Sequence, residues 1–264
     1  MNAPAGRLGL YDSGVGGLTV LRALREAGID QDIVYFADRA HVPYGDKSDA
    51  DISGFLADNL ALLASLRVDA VVTACNSSCA VAQKLGWPNT PFEVLDLIAT
   101  AGAAFAGTRY RRIGVVATAA TVRSGAYARA IRAAAPDAEV FERAAPALVP
   151  LVERGDAAGS GARDAVRAVV ATLPADIDAL VYGCTHYPLL DRWFAESLAA
   201  GVTRIDPARA QAAAAQRLIA RLHIPAGGGT TAYYTNGDPG SFEAAVRRMG
   251  GDPQARVNAL VDSA

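Results

Sequence analysis

The sequence predicts an α/β protein with two pseudo-symmetric lobes, each a mainly parallel sheet flanked by helices, and a candidate active site in the cleft between them. Short apolar runs alternate with longer amphipathic stretches, a pattern typical of parallel strands joined by crossover helices. Segment Val68–Ser77 resembles Ile177–His186, and Arg7–Ser13 resembles Arg112–Thr118. The chain of 264 residues suits two lobes of about 100–150 residues each. These observations together indicate a duplicated unit.

The short apolar runs are the predicted strands, because they are bounded by turn residues and are too short for helices. In chain order the predicted strands are Leu8–Tyr11, Ile33–Ala37, Ala70–Thr73, Phe92–Leu97, Ile113–Ala117, Ala138–Phe141, Ala179–Tyr182 and Thr230–Thr235. The amphipathic stretches between them predict helices at Leu18–Ala27, Ile52–Ser65, Ser77–Leu85, Ser124–Ala134, Ala162–Leu173, Ala208–Leu222 and Pro239–Met249. Ser241 is expected near the N-cap of the last helix.

The lobes are expected to be discontinuous in sequence. Residues 1–97 and 206–264 form the predicted first lobe, which carries Asp12 and Cys75, and residues 98–205 form the second, which carries Cys184 and His186. The second lobe already has its strands by residue 205, so the remaining chain is expected to return to the first.

Composition narrows the class of protein. A net charge of −2 and a pI near 5.9 provide no basic field for nucleic acid or an anionic membrane. No apolar run approaches the roughly 18 residues that span a bilayer. Three cysteines, an odd number, and no apparent leader argue against a secreted disulfide protein. We expect a cytoplasmic protein without nucleic-acid or membrane partners.

Polar residues follow the predicted strands at their carboxyl ends, where ligands bind in open α/β sheets. These residues are Asp12, Ser13, Asp38, Cys75, Asn76, Ser77, Thr118, Cys184, Thr185 and His186. Glu153 is expected by default to be a solvated carboxylate at a helix end. A single cysteine is often a buried, inert hydrophobe. The matched positions of Cys75 and Cys184 in the two repeats favour a functional pair instead.

Other sites remain open from the residues alone. Cys75, Cys79, Cys184 and His186 could supply three thiolates and an imidazole to zinc. The turn Asp12–Gly17 resembles a dinucleotide fingerprint, but its glycine spacing differs. We interpret it as a turn whose N–H groups approach a small ligand carboxylate. Pyridoxal chemistry needs a Schiff-base lysine, for which Lys47 and Lys84 are poorly placed.

Two opposed thiols suit a reaction that takes a proton from one face of a carbon and returns it to the other. The unperturbed thiol pKa of about 8.5 can be lowered at a helix N-terminus, so one thiol can act as base and the other as acid. Nearby hydroxyl and amide donors would hold a substrate carboxylate and stabilise developing charge. The residues therefore predict a cofactor-independent racemase or epimerase.

Four segments carry a family resemblance. Asp12–Val20, Pro43–Gly45, Ala74–Ser77 and Gly183–Leu190 resemble motifs of the glutamate racemases, within the aspartate/glutamate racemase superfamily. The resemblance runs in order from about Leu8 to Asp238. Three features depart from it: Ser77 stands where threonine is usual, Cys79 replaces a small non-thiol residue, and Glu93–Ile98 lacks the usual interlobe sequence.

The resemblance implies roles for individual residues. Cys75 would deprotonate D-glutamate and Cys184 L-glutamate, with Asp12 supporting Cys75, His186 supporting Cys184 and Glu153 near the second thiol. The implied substrate site comprises Asp12, Ser13, Tyr44, Gly45, Asn76, Ser77, Thr118, Thr121, Thr185 and His186.

The resemblance also implies a homodimer that uses neither cofactor nor metal and supplies D-glutamate for peptidoglycan. Two alternatives remain: a relative that racemises aspartate or another small acidic substrate, and a zinc-stabilised binding protein.

Overall fold

Two parallel sheets organise the chain in the computed structural model, which describes residues 6–250 and 252–260. The strands are β1 (Arg7–Asp12), β2 (Asp32–Ala37), β3 (Ala70–Thr73), β4 (Glu93–Leu95), β5 (Arg112–Ala117), β6 (Glu139–Ala144), β7 (Ala179–Gly183), β8 (Thr203–Ile205), β9 (Thr231–Thr235) and β10 (Val257–Ala259). The first sheet has the order β10-β9-β2-β1-β3-β4, and the second has the order β6-β5-β7-β8. The pairings within both sheets are parallel.

Helices cover the sheets. They are α1 (Leu18–Glu26), α2 (Asp49–Ser65), α3 (Asn76–Leu85), α4 (Leu97–Ala103), α5 (Ala119–Ser124), α6 (Ala126–Ala134), α7 (Leu148–Glu153), α8 (Ser160–Val170), α9 (Asp191–Ser197), α10 (Pro207–Leu222) and α11 (Pro239–Ala245). Short 3₁₀ turns occupy Tyr44–Asp46 and Tyr187–Leu190, and a π-helical turn occupies Val246–Gly250. Among the described residues, no helix combines the length and apolar character needed to cross a membrane.

The sheet orders display the duplication. Strands β2-β1-β3-β4 of the first sheet follow the same order as β6-β5-β7-β8 of the second. β1 and β5 are the central strands of the two repeats, and β3 and β7 are the strands that precede the two thiols. The α/β fold class with two parallel sheets is confirmed.

The end of the chain extends the first sheet. β9 pairs with β2, and β10 pairs with β9. The lobe boundaries at 97/98 and 205/206 stay a prediction. Residues 1–5, 251 and 261–264 of the predicted first lobe lie outside the described residues.

Several predicted elements are wrong in detail, each for a local reason. The strand predicted to end at Leu97 stops at Leu95, because Asp96 accepts N–H bonds from Ile98 and Ala99 and so caps α4. The helix predicted over Ser124–Ala134 is interrupted at Gly125, whose φ of 64° is left-handed, and α5 precedes it.

Two further differences concern the chain near residue 240. The N-cap of α11 is Asp238, whose side chain accepts the N–H of Ser241, so Ser241 is not the cap. The predicted helix over Pro239–Met249 is α-helical only to Ala245 and then π-helical.

One apolar core spans the two sheets. Leu10 of β1 and Leu180 of β7 are both fully buried and belong to one continuous cluster. Leu18 of α1 and Tyr187 lie in the same cluster. Continuous packing of this kind holds the carboxyl ends of β1, β3, β5 and β7 close together, where the candidate site forms.

Candidate active site

One small cavity lies at the carboxyl ends of β1 and β3 of the first sheet and of β5 and β7 of the second. Its lining residues are Asp12, Ser13, Tyr44, Gly45, Cys75, Asn76, Ser77, Thr118, Val149, Cys184, Thr185 and His186. Two residues of the predicted site, Thr121 and Glu153, do not line the cavity but contact residues that do. Val149 was not predicted, because an apolar residue on a short helix carries no chemical signal in the sequence.

The cavity has a volume of only about 20 Å³, which is room for roughly one water molecule. An amino-acid substrate needs more space, so the walls must separate to admit one. A larger cavity of about 890 Å³ lies beside Arg22 and Arg204, but neither thiol lines it.

Cys75 is the N-cap of α3, a position where the helix dipole stabilises a thiolate. It is buried, with 3% of its surface exposed. Burial and the nearby charge of Asp12 raise the pKa of Cys75 to about 12, although hydrogen bonding from Ser78 and Ser13 opposes that rise. At neutral pH Cys75 is therefore a thiol with a proton to donate.

Cys184 faces an imidazole. Its Sγ lies 3.6 Å from Nδ1 of His186, whose Nε2 lies 2.7 Å from Oε1 of Glu153. Burial lowers the pKa of His186, but the hydrogen bonds and charges of Cys184 and Glu153 raise it by more. The pKa of His186 is therefore well above its usual value. The arrangement favours an imidazolium beside the Cys184 thiol.

Glu153 joins the two halves of the molecule. Its carboxylate accepts the N–H of Val15 at 2.9 Å and lies 3.4 Å from Nη2 of Arg39. Burial raises the pKa of Glu153, but the hydrogen bond and charge of His186, with Val15 and Arg39, lower it below its usual value. Only 11% of its side chain is exposed, so the expectation of a solvated helix-end carboxylate is wrong.

Asp12 organises the glycine-rich turn. Its Oδ2 accepts the N–H groups of Gly14 and Gly17 at 3.1 and 2.7 Å, and its Oδ1 lies 3.4 Å from the Thr185 hydroxyl. Burial raises the pKa of Asp12. Because Asp12 and Glu153 take up these N–H groups, the expectation that the turn reserves them for a ligand carboxylate is wrong for Gly14, Val15 and Gly17.

The same turn packs directly on the second repeat. A Cβ at Gly16 would lie 2.5 Å from both Nδ1 of His186 and Oγ1 of Thr185. Position 16 therefore requires glycine, because a larger side chain would clash with His186 and Thr185. The turn thereby fixes the imidazole that faces Cys184.

Hydroxyl and amide groups complete the wall beside Cys75. Oγ of Ser77 lies 2.9 Å from Oγ1 of Thr118, which donates to Thr121 at 3.0 Å. The side-chain oxygen of Asn76 accepts a hydrogen bond from Tyr127 at 2.6 Å. Both contacts link the two repeats.

A buried polar network lies behind Tyr44. The Tyr44 hydroxyl donates to Asp38 and accepts from Tyr11 at 3.1 Å, and the Tyr11 hydroxyl lies 2.9 Å from Oγ of Ser78. His41 lies 2.7 Å from Asp38. The sequence singled out Asp38 by its place after β2, but gave no signal for Tyr11 and Ser78, which read as ordinary strand and helix residues.

The proposed zinc set does not come together. Cys79 is fully buried in an apolar cluster with Leu97 and Ile98, and its Sγ lies 3.1 Å from the Thr73 hydroxyl. Cys79 does not line the cavity. Within residues 6–250 and 252–260, no group of three or more histidine, cysteine or acidic side chains is arranged to hold a metal ion.

Comparison with known proteins identifies relatives along most of the chain. Residues 19–215 match the family described as Asp/Glu/Hydantoin racemase. The glutamate racemase of Gloeobacter violaceus is 43% identical over 258 residues, with 96% of each chain covered. That of Neisseria meningitidis serogroup B is 45% identical over 217 residues, covering 81% of this chain and 80% of the relative.

Solved structures agree with the sequence relatives. Glutamate racemase from Thermus thermophilus, in complex with β-chloro-D-alanine, superposes with a TM-score of 0.83 at 33% identity, covering 99% of each chain. The enzyme from Francisella tularensis, in complex with D-glutamate, gives 0.85 at 28% identity over 98% of this chain and 99% of the other. An aspartate racemase from Picrophilus torridus shares the fold, with a TM-score of 0.58 at 17% identity over 83% of this chain and 94% of the other.

Proposed function

The chain belongs to the Asp/Glu/hydantoin racemase family, and from this we propose that it interconverts L- and D-glutamate by proton transfer at Cα between two thiols. The observation that carries the proposal is the placement of Cys75 and Cys184, from matching positions of two repeats, on one cavity. The names of its relatives, glutamate racemases at about 40% identity, support the choice of substrate.

The resting enzyme holds its proton on Cys75. The raised pKa of Cys75 favours a thiol at the first position, and the raised pKa of His186 places an imidazolium beside the second thiol. The Cys184 thiolate removes the Cα proton of L-glutamate, and the Cys75 thiol donates a proton to the opposite face, which gives D-glutamate. The assignment of each thiol to an enantiomer rests on the family resemblance.

The roles reverse for D-glutamate. Cys75 must then act as base, and its thiolate is helped by its place at the N-terminus of α3 and by the hydroxyls of Ser13 and Ser78. His186, held by Glu153, faces the second thiol and can orient it or exchange a proton with it. Two differently stabilised thiolates thus serve one reversible reaction.

The remaining lining groups bind the amino acid. We assign carboxylate recognition to the donors Asn76, Ser77, Thr118 and Thr185, which also stabilise charge that moves onto the α-carboxylate during proton removal. Asp12 provides the negative charge that an α-ammonium group requires. Tyr44 and Gly45 form the wall beside them, and Thr121 supports Thr118. A cavity of about 20 Å³ requires the lobes to separate for entry and to close before chemistry.

The cellular role follows from the resemblance alone. We propose that the protein is a cytoplasmic homodimer that supplies D-glutamate for peptidoglycan and needs no cofactor.

Incubation in deuterated water with each enantiomer of glutamate and aspartate tests the proposal. We expect optical rotation to decay to zero from either enantiomer of glutamate, with deuterium entering Cα. Comparable turnover of aspartate would favour the relative that acts on another acidic substrate. A protein that exchanges the Cα proton of neither amino acid would refute the proposal.

A further inference from the structure

Tyr127 of α6 makes a hydrogen bond that the reaction chemistry does not use. Its hydroxyl donates to Oδ1 of Asn76 at 2.6 Å, and both side chains are buried, with 0% and 3% of their surfaces exposed. Asn76 is the first residue of α3, directly after Cys75, whereas Tyr127 lies beside the second sheet. The bond therefore crosses from one repeat to the other at the reacting thiol.

The other end of the Asn76 amide has no partner. Nδ2 of Asn76 is buried and makes no hydrogen bond within the described part of the chain. Asn76 also lines the cavity between the thiols. An unpaired buried N–H group costs free energy unless a ligand satisfies it, so the amide is set to donate to an acceptor that enters the cavity.

The phenol decides which end of the amide faces the cavity. A buried tyrosine hydroxyl needs an acceptor, and among the described residues Oδ1 of Asn76 is the group that receives it. Burial raises the pKa of Tyr127 well above its usual value, so the hydroxyl stays protonated and remains a donor. With Oδ1 held by Tyr127, the NH₂ group must point away from the phenol.

We propose that Tyr127 is a positioning residue for substrate recognition: by holding Oδ1 of Asn76 it fixes the amide as a hydrogen-bond donor to the substrate carboxylate. This inference rests on the proposed function, because it takes an acidic amino acid as the occupant of the cavity. It extends that function by making recognition depend on the second repeat, since the residue that orients the amide lies on α6.

Tyr127→Phe removes the hydroxyl with little change in shape. We expect KM for both enantiomers of glutamate to rise about tenfold, the loss expected for one hydrogen bond to a charged group, with kcat within a few-fold of the parent. The matched control is Tyr182→Phe, which removes a phenol that donates to Asp191, also at 2.6 Å, away from the thiol cavity. It should leave KM unchanged.

A double-mutant cycle separates positioning from a purely structural role. In the Asn76→Ala background, Tyr127→Phe should cause no further rise in KM. An equal rise in that background, or an unchanged KM in the single variant, would overturn the inference. Melting temperatures of the four proteins show whether the comparison involves equally folded enzymes.

Asn76→Asp provides a second variant that leaves Tyr127 in place. The new carboxylate still accepts from Tyr127 but presents an oxygen to the substrate, so it should bind glutamate more weakly than Asn76→Ala. Equal or tighter binding would overturn the inference. A parent enzyme that binds L- and D-glutamate in calorimetry but racemises neither enantiomer would contradict the proposed function alone. The affinity of Tyr127→Phe for glutamate would then still decide the role of Tyr127.

Discussion

Cys75 and Cys184 occupy matching positions in the two repeats, each shortly after the carboxyl end of the strand next to the central one, but their surroundings differ in kind. Cys75 caps a helix of ten residues and is approached by the hydroxyls of Ser13 and Ser78. Cys184 is followed by a 3₁₀ turn and faces His186, which is held by Glu153. The position aligned with His186 in the first repeat is Ser77.

The difference shows how a duplicated unit can become asymmetric without a change of fold. Helix dipoles and hydroxyls supply partial charges that stabilise a thiolate modestly, whereas an imidazolium supplies a full charge. Burial and the Asp12 carboxylate leave Cys75 protonated, with a pKa raised to about 12. The proton therefore resides preferentially on Cys75, and a two-base reaction can begin with one base and one acid.

The largest effect is expected from removing either thiol. Cys75→Ser and Cys184→Ser should each reduce racemisation at least roughly a thousandfold, because one failed proton transfer blocks the whole cycle and a serine hydroxyl scarcely ionises at neutral pH. Polarimetry with either enantiomer measures the loss. Residual racemisation near the parent rate in either variant would show that the two sides are not both required.

Removing the imidazole should be the next largest change. His186→Gln should slow turnover about a hundredfold, the lower range for a positioned acid–base group. The pH dependence of turnover for L-glutamate should also change, because the raised pKa of His186 keeps an imidazolium beside Cys184 that glutamine cannot replace. His223→Asn, at the C-cap of α10, is the control and should leave both unchanged. An unaltered pH profile in His186→Gln would remove the basis for the asymmetry.

Ser78→Ala tests the surroundings of Cys75. Its hydroxyl lowers the pKa of Cys75, so its loss should raise that pKa and slow the step in which Cys75 is the base. We expect deprotonation of a D-configured β-chloro analogue to fall about tenfold, the loss of one charge-assisted hydrogen bond. The L-analogue should be processed at nearly the parent rate. Equal slowing of both analogues would indicate a general structural defect.

The smallest effect is expected at the third cysteine. Cys79 lies in the apolar core against Thr73 and outside the cavity, so Cys79→Ala should keep turnover within a few-fold of the parent. Its loss of packing should lower the free energy of unfolding by about 1 kcal/mol, measured by denaturant titration. A loss of activity as large as that of Cys75→Ala would restore the metal-site alternative.

The grouping of polar residues at the strand ends was predictable from the sequence, because parallel strands bring their carboxyl ends to one edge and the two repeats mark the same position twice. Cys75, Cys184 and His186 were expected at one site in this way, and they line the same cavity. Elements that depend on local capping were not predicted. Helix α4 depends on the Asp96 side chain, and the break between α5 and α6 depends on a left-handed Gly125.

Contacts between the two repeats were also not predicted from the sequence. Tyr127 has the spacing of an ordinary buried helix residue, and its role depends on a partner 51 positions away. Glu153 was placed near the second thiol only by the family resemblance, and its contacts with Arg39 and the N–H of Val15 were not predicted. Such pairings arise only from the docking of one repeat on the other, which no local pattern encodes.

The central claim, that each thiol serves one face of Cα, is tested most directly by elimination from a β-chloro analogue of glutamate. This reaction needs only the first proton transfer: a thiolate takes the Cα proton and chloride leaves from Cβ. We predict that Cys75→Ser still eliminates chloride from the L-analogue but not the D-analogue, and that Cys184→Ser shows the opposite preference. If both variants kept the same enantiomer preference, the two-thiol account would be contradicted.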